Sequence, residues 1–382
     1  MTGLAIYHLV AGAGLTALGL HTLLNHLTLP PLERMRAPGT PPRISVLIPA
    51  RNEAERIGVC VDGWAAQDYP LYEVVVYDDE STDDTAARAL AAAESAPHVR
   101  VIRGGRLPAG WRGKPWACHR LRSHARGELL VFADADVIPG ATALARTASA
   151  LDVLGADAVS AVPSHEGGSL GVRALVGLQN WAALAFVPSW LPAARRCRWL
   201  AAMTGQFIAI RADVYDGCGG FAAARRSLAE DAALGRLLVA GGYRVRLVDG
   251  ARVLRCRPYA TVGPLWRATA RNLLPVFFDS PALLLLALAG LGALCLGPLA
   301  LLGLGAILGR GGWLWTWLPL AEVALAIMPR AVSDRRAGYA PWLALLHPFA
   351  VMALGAMGLD SIVRFRLRRV VEWRDRQYDV AA

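Results

Sequence analysis

The sequence predicts an α/β domain built on a largely parallel sheet and set between apolar ends that span a membrane. Three observations carry this. Short β-rich runs alternate with helical stretches from residue 44 to residue 133, the pattern of strands joined by crossover helices. Two of the runs end in acidic clusters, Asp78-Asp79 and Asp134-Ala135-Asp136, where open α/β sheets gather ligand-binding groups. Long uncharged apolar segments flank the whole.

Taken in order, residues 3–24 are uncharged and long enough to cross a bilayer. No basic stretch precedes them and the run is long for a signal peptide, so a retained span over residues 1–28 is expected. Arg34, Arg36 and Arg43 follow, which places the next segment in the cytoplasm. Residues 29–42 are Pro-rich and read as a linker. Residues 43–275 form the α/β domain. Its strands are expected at 44–48, 73–77, 99–102 and 128–133, with helices at 53–66 and 83–95.

Residues 174–194 are also uncharged. A crossing there would put Asp231 on the opposite face from Asp134 and Asp136, and Gln179, Asn180, Pro188 and Pro192 interrupt the run. An interfacial helix with Arg173, Arg195 and Arg196 at its ends is expected, and a buried core helix stays open. Residues 276–363 hold three further expected spans, at 281–309, 313–329 and 339–359, the second interrupted by Glu322. Arg330, Arg335 and Arg336 suit the cytoplasmic side. Three spans would then place the Arg-rich tail, 364–382, outside, against the positive-inside rule. Either the tail is an exception or one segment is re-entrant, as Pro298 and Pro348 allow.

The chain has 382 residues, 55% of them hydrophobic, and a net charge of +10. Arg364, Arg366, Arg368, Arg369, Arg374 and Arg376 crowd its last 20 residues, which suits anionic membrane lipids. Without a nucleic-acid-binding module, no nucleic-acid partner is expected. The six cysteines are scattered with no Cys-x-x-Cys pair, which argues against a zinc site and a disulfide framework.

Four acidic or turn motifs carry chemistry. In Ile44-Ser45-Val46-Leu47-Ile48-Pro49-Ala50-Arg51-Asn52-Glu53, a strand turns into a helix and offers backbone N–H groups to an anion or base, although a plain β-α turn looks the same. In Asp78-Asp79-Glu80-Ser81-Thr82-Asp83, the first carboxylates can accept from a nucleobase N–H or a ribose hydroxyl, and Thr82 or Asp83 can cap a helix. Asp134 and Asp136 repel each other at the end of a buried strand. A divalent cation, Mg²⁺ or Mn²⁺, would offset that repulsion while bridging phosphate oxygens. Glu230-Asp231 begins a helix, where Asp231 is either a cap or a general base. Lys114, the sole lysine, sits in the glycine-containing run Gly110-Trp111-Arg112-Gly113-Lys114-Pro115-Trp116-Ala117-Cys118 and can meet a phosphate or a nucleobase carbonyl.

Together and in this order, these motifs resemble the family 2 glycosyltransferases of GT-A fold over residues 43–275. The resemblance implies inverting transfer of a sugar from a nucleotide donor. By position it implies that Pro49, Ala50, Arg51, Glu53, Asp78, Asp79, Lys114, Asp134 and Arg271 hold the nucleotide-sugar. It implies Asp136 and Asp134 on the metal, and Asp231 with Glu230 as the catalytic pair. UDP and glucose are the expected nucleotide and sugar. The Gly110 to Cys118 motif and the tail Val371-Glu372-Trp373-Arg374-Asp375-Arg376-Gln377-Tyr378 look like the carotenoid glycosyltransferase branch, with enzymes similar to diaponeurosporenoate glucosyltransferase. A lipid-like acceptor such as a carotenoid follows from that likeness. Processive synthases carry Gln-x-x-Arg-Trp, but here Ala268-Thr269-Ala270-Arg271-Asn272 keeps only the arginine, which argues against a polymer product. The alternatives are a polyprenyl-phosphate or glycolipid sugar transferase, and a non-catalytic membrane protein that binds nucleotide-sugars.

Overall fold

The computed structural model describes residues 2–36, 39–188, 190, 197, 201, 203–257, 259–368, 370–373 and 376–379. Its strands are β1 (Ile44–Ala50), β2 (Tyr72–Asp78), β3 (Val99–Arg103), β4 (Leu129–Ala133), β5 (Val137–Pro139), β6 (Ala158–Val162), β7 (Ser164–His165), β8 (Phe207–Arg211), β9 (Val245–Asp249), β10 (Leu254–Cys256), β11 (Val370–Trp373) and β12 (Arg376–Asp379). Seven of them form one sheet in the order β3-β2-β1-β4-β8-β6-β9. Only β8 of these runs antiparallel, against both β4 and β6. The four expected strands are all present, and the helices Ile57–Ala65 and Thr85–Ala93 occupy the stretches read as helical.

The central strands are apolar nearly throughout because both faces of the sheet are covered. Val74 and Val76 point into one core with Val46, Ile48, Trp64 and Leu144. Val75 and Tyr77 point the other way, into a core with Leu47, Leu121, Phe132 and Leu238. Register then fixes the site. Ala50 pairs with Asp78 and Leu47 with Phe132, so the carboxyl ends of β1, β2 and β4 finish along one edge. A small second sheet, β5-β10-β7, follows directly from this edge and carries His165 at its end.

A helical layer packs beside the α/β unit. The helix Thr2–Thr28 lies against Leu318–Arg336 and Leu170–Phe186, around Leu15, Leu178, Trp181 and Ala326. Buried polar pairs fix the layer: His8 Nδ1 meets Glu322 Oε1 at 2.9 Å, and Arg330 Nε donates to Asp334 Oδ1 at 2.8 Å. Groups of this kind are buried only when partnered.

Among the described residues, two helices are long and apolar enough to cross a membrane, Gly3–Thr28 and Pro341–Leu367. A third span exists only if Val262–Val276 and Pro281–Cys295, bent by 113°, act as one broken span. The sequence predicts one N-terminal and about three C-terminal spans. Residues 281–309 instead break at Leu296 into helices of 15 and 11 residues. The next helix, Leu318–Arg336, buries Glu322, Arg330 and Asp334.

One further expectation changes. The helix Leu170–Phe186 is 17 residues long and buries Leu175, Leu178 and Trp181 among other helices. It is the core helix rather than the interfacial one, because its apolar side finds protein partners. Arg195 and Arg196 lie outside the described residues. Three arginines of the basic tail meet protein groups, and the side chains of Arg368, Arg369 and Arg374 lie outside the described ones. Arg364 Nε donates to Asp360 Oδ2 at 2.9 Å, Arg366 to the Asp279 carbonyl at 3.0 Å, and Arg376 to Asp79 and Glu80.

Candidate active site

The carboxyl edge of the sheet opens into a cavity of about 900 Å³. The ends of β1 and β4 supply Pro49, Ala50, Arg51, Glu53, Asp134 and Asp136; the loop after β2 supplies Asp79; the helices Gly113–His124 and Glu230–Ala240 supply Lys114, Glu230 and Asp231. Arg271 enters from the helix Val262–Val276. Eleven of the twelve residues singled out in the sequence therefore share one cavity. Asp78 lies outside its lining: it is buried, and its Oδ1 has no hydrogen-bond partner.

The two loops at the ends of β1 and β2 hold each other. Asn52 Oδ1 accepts from the Thr82 N–H at 2.9 Å, and Thr85 Oγ1 accepts from the Glu53 N–H at 2.8 Å. Asp83 accepts from the Thr85 N–H at 3.0 Å and the Ala54 N–H at 3.2 Å. Burial favours the neutral acid at Asp83, but a hydrogen bond from the Thr85 hydroxyl and these two N–H bonds outweigh it and hold the carboxyl below its ordinary range. Asp83 thus ties β1 to β2 as well as meeting the start of a helix. Asn52 and Glu80 both adopt left-handed backbone, with φ of 51° and 54°. Asn tolerates that region, whereas Glu80 is held there against a cost. The Arg51 guanidinium donates to the Glu80 carbonyl at 2.7 Å and to the Asp79 carbonyl, gripping this turn.

At the centre, Lys114 Nζ lies 2.8 Å from Asp134 Oδ1 and 2.9 Å from Glu230 Oε1. Burial acts to lower the ammonium pKa, but Asp134 and Glu230 more than reverse this and raise it well above its usual value. Asp134 is pushed up to about 6, first by burial and further by Asp136, with Lys114 opposing. Asp231 is raised by burial and by Glu230. Its Oδ2 accepts from the Gly205 N–H and its Oδ1 from the Ala232 N–H, both at 2.7 Å. A side chain at Gly205 would place Cβ 3.0 Å from Lys114 Nζ and 3.1 Å from Asp231 Oδ2, so glycine lets both groups approach.

The donors present fit a hard divalent cation. Asp136 Oδ1 is buried without a hydrogen-bond partner, and Asp134 stands two residues before it. No cluster of three or more His, Cys, Asp or Glu ligands exists among the described residues. Magnesium-type sites commonly use one or two carboxylates and take the remaining oxygens from substrate phosphates and water.

Several lining residues carry no sequence motif. His165 is buried, with Gln206 Nε2 and Asn180 Nδ2 each 3.2 Å from its ring nitrogens. Burial lowers its pKa to about 4, against the pull of Asp136, so it is neutral at ordinary pH. Gln179, Asn180, Arg267 and Arg364 line the helical side. The polar interruption at Gln179 and Asn180 is the one available sequence signal: two amides on an otherwise apolar helix face the cavity.

The parallel sheet with one reversed strand, and an acidic cavity at its carboxyl edge, define a GT-A-like α/β domain. The chain belongs to the glycosyltransferase-like family 2, whose model matches residues 41–274. A 4,4'-diaponeurosporenoate glycosyltransferase of Staphylococcus haemolyticus is 33% identical over 127 residues, 33% of each chain. Its counterpart in Staphylococcus aureus is 36% identical over 94 residues, 25% of this chain and 24% of that one. The chain thus matches a third or less of the length of these relatives. In structure it is similar to a mannosyltransferase of Pyrobaculum calidifontis, determined with GDP-Man and Mn²⁺, at a TM-score of 0.53 and 20% identity, covering 96% of this chain and 99% of that one. That likeness concerns the fold.

Proposed function

We propose that the protein is a membrane-bound inverting glycosyltransferase that moves a sugar, glucose as first choice, from a nucleotide-sugar to a lipid-like acceptor such as a carotenoid. The observation that carries this is the convergence of Asp134, Asp136, Lys114, Glu230 and Asp231 on one cavity. Its opposite wall comes from Leu170–Phe186 and Val262–Val276, helices of the apolar layer. A polar donor and an apolar acceptor would thus meet from two sides. The diaponeurosporenoate name of the sequence relatives supports a carotenoid-type acceptor, and the UDP expectation rests on the family resemblance.

Asp134 and Asp136 would hold Mg²⁺ or Mn²⁺, which supplies charge stabilisation to the leaving diphosphate. Lys114 adds a fixed positive charge beside them, aimed where negative charge develops. Glu230 orients Lys114 through its own ion pair. Asp231 removes the acceptor proton: its two backbone N–H contacts fix its orientation, and its raised pKa makes it the stronger base. Arg271 and Arg267 line the same cavity and offer guanidinium groups to the diphosphate.

Membranes containing the protein are incubated with labelled UDP-glucose and other nucleotide-sugars, and the labelled lipid is identified by mass spectrometry. A glycosylated isoprenoid that disappears in Asp136→Ala supports the proposal. Labelled polyprenyl phosphate would replace the acceptor class, and no metal-dependent transfer at all would overturn the activity.

A further inference from the structure

The C-terminal hairpin reaches back across 297 residues of sequence to the loop after β2. Arg376, the first residue of β12, forms an ion pair with Asp79 Oδ2. Its second nitrogen lies 3.3 Å from Asp79 Oδ1 and 2.7 Å from Glu80 Oε2. The Asp79 side chain is only 1% exposed and that of Arg376 13%. This is a two-nitrogen grip on one buried carboxylate, the geometry that most restricts a carboxylate's orientation. The partner strand β11 runs beside the helix Val262–Val276, which brings Arg267 and Arg271 to the cavity. The hairpin therefore touches both the turn that carries Asp79 and the helix that carries the arginines.

Asp79 lines the cavity beside Arg51 and Asn52. Burial pushes its carboxyl upward, toward the neutral acid, and the Arg376 and Arg51 guanidinium groups oppose this. A neutral acid in that place could donate a hydrogen bond but would be a poorer acceptor for nucleoside N–H or hydroxyl donors. Arg51 holds the backbone of the same turn, and Arg376 grips its side-chain oxygens.

We infer that the C-terminal hairpin backs the nucleoside end of the donor pocket from behind Asp79, with Arg376 the positioning residue that fixes the Asp79 carboxylate toward the nucleoside. This rests on the nucleotide-sugar reading of the cavity and adds to it a determinant from the far end of the chain. It also gives a reason why Arg376 meets Asp79 and Glu80.

The test uses full-length protein in lipid nanodiscs with Mn²⁺, titrated with UDP and with GDP, and donor kinetics on the same samples. Arg376→Ala should weaken binding of the nucleotide that the wild type prefers by about tenfold or more and raise donor KM to match, with kcat within about threefold. Arg376→Lys should recover part of that loss. Asp79→Asn combined with Arg376→Ala should be no worse than the weaker single variant, because the two act through one contact. Unchanged nucleotide affinity in Arg376→Ala, or a fall in kcat alone, would overturn the inference while leaving the transferase reading intact. Strict additivity of the two substitutions would also overturn it. Nucleotide binding without sugar transfer would sink the transferase reading and leave the positioning role of Arg376 in place; binding of neither nucleotide by the wild type would remove both. Thermal unfolding of each variant, matched to the wild type, separates lost affinity from lost folding, and Arg376→Lys serves if Arg376→Ala does not fold.

Discussion

Lys114 Nζ stands 2.8 Å from Asp134 Oδ1, joining the start of the helix Gly113–His124 to the end of β4. The only lysine in the chain is thus placed among four carboxylates, Asp134, Asp136, Glu230 and Asp231. Removing it leaves their mutual repulsion uncompensated and, on the proposed mechanism, takes away a charge aimed at the leaving group. Lys114→Ala should lower kcat/KM by roughly 10²–10³, the usual cost of one preorganised electrostatic contact. Lys114→Arg should restore only part, since a planar guanidinium does not fit a point-charge site. Steady-state transfer of labelled sugar checks both.

Asp231 separates two acceptor types. With an alcohol acceptor, Asp231→Asn should cost about 10²–10⁴ in rate, because the proposed general base is lost while the carboxamide can still accept from Gly205. With a carboxylic acid acceptor, already ionised, the loss should be much smaller. Parallel assays on a carotenoid alcohol and a carotenoid acid give the answer; equal loss on both would remove the proton-transfer role.

Glu73 offers a pH prediction away from the site. It accepts from Ser45 Oγ and from the Arg126 N–H, each at 2.7 Å, and meets Arg100 Nη2 at 2.7 Å. Burial alone would raise its pKa, but these contacts prevail and hold it below the ordinary glutamate value. A depressed carboxyl binds fewer protons folded than unfolded. Its stabilising contribution is therefore complete above the unfolded pKa and is lost as pH falls through the folded one. Glu73→Gln should flatten the acid limb of a stability–pH curve below about pH 4.3, the ordinary glutamate value, as followed by thermal unfolding.

Gly177 is the notch that receives the buried Arg330–Asp334 pair. A Cβ there would collide with Asp334 Oδ1 and Arg330 Nη2, and Arg330 also donates to the Ala174 carbonyl at 2.8 Å. Gly177→Ala should disturb the helix that presents Gln179 and Asn180, lowering both melting temperature and activity. Asp334→Ala should destabilise by about 3–5 kcal/mol by leaving a buried cation unpaired, whereas an apolar Arg330→Met, Asp334→Leu pair should cost far less. Melting in detergent distinguishes the two cases.

The Arg376–Asp79 contact also constrains topology. It requires the tail and the α/β domain to lie on one side of any membrane, so segments between 276 and 363 that cross must do so an even number of times. Reporter fusions after residue 379 and within a loop of the α/β domain should read the same side. Opposite sides would break the contact.

Much of this is legible in sequence because it is local. Val74 to Tyr77 read as a strand from composition, and Asp79, Asp134 and Asp136 fall at strand ends because a parallel sheet gathers those ends. The helix Leu170–Phe186 is ambiguous in sequence: an apolar run looks alike whether it meets lipid or protein. His165 gives no signal, since a buried histidine is defined by Asn180 and Gln206, which are distant in the chain. Arg376 reads as one more cation in a basic tail because sequence order carries no information on its partner 297 residues away.

The sequence by itself determined the alternation of strands and helices, the acidic edge and the apolar ends, all products of short-range periodicity and side-chain chemistry. The tertiary structure decided the rest. It brought Lys114 between Asp134 and Glu230, left Asp78 outside the cavity lining, and returned Arg376 to Asp79. Each of these depends on packing between distant segments, where burial makes an unpaired charge costly and so selects which groups meet.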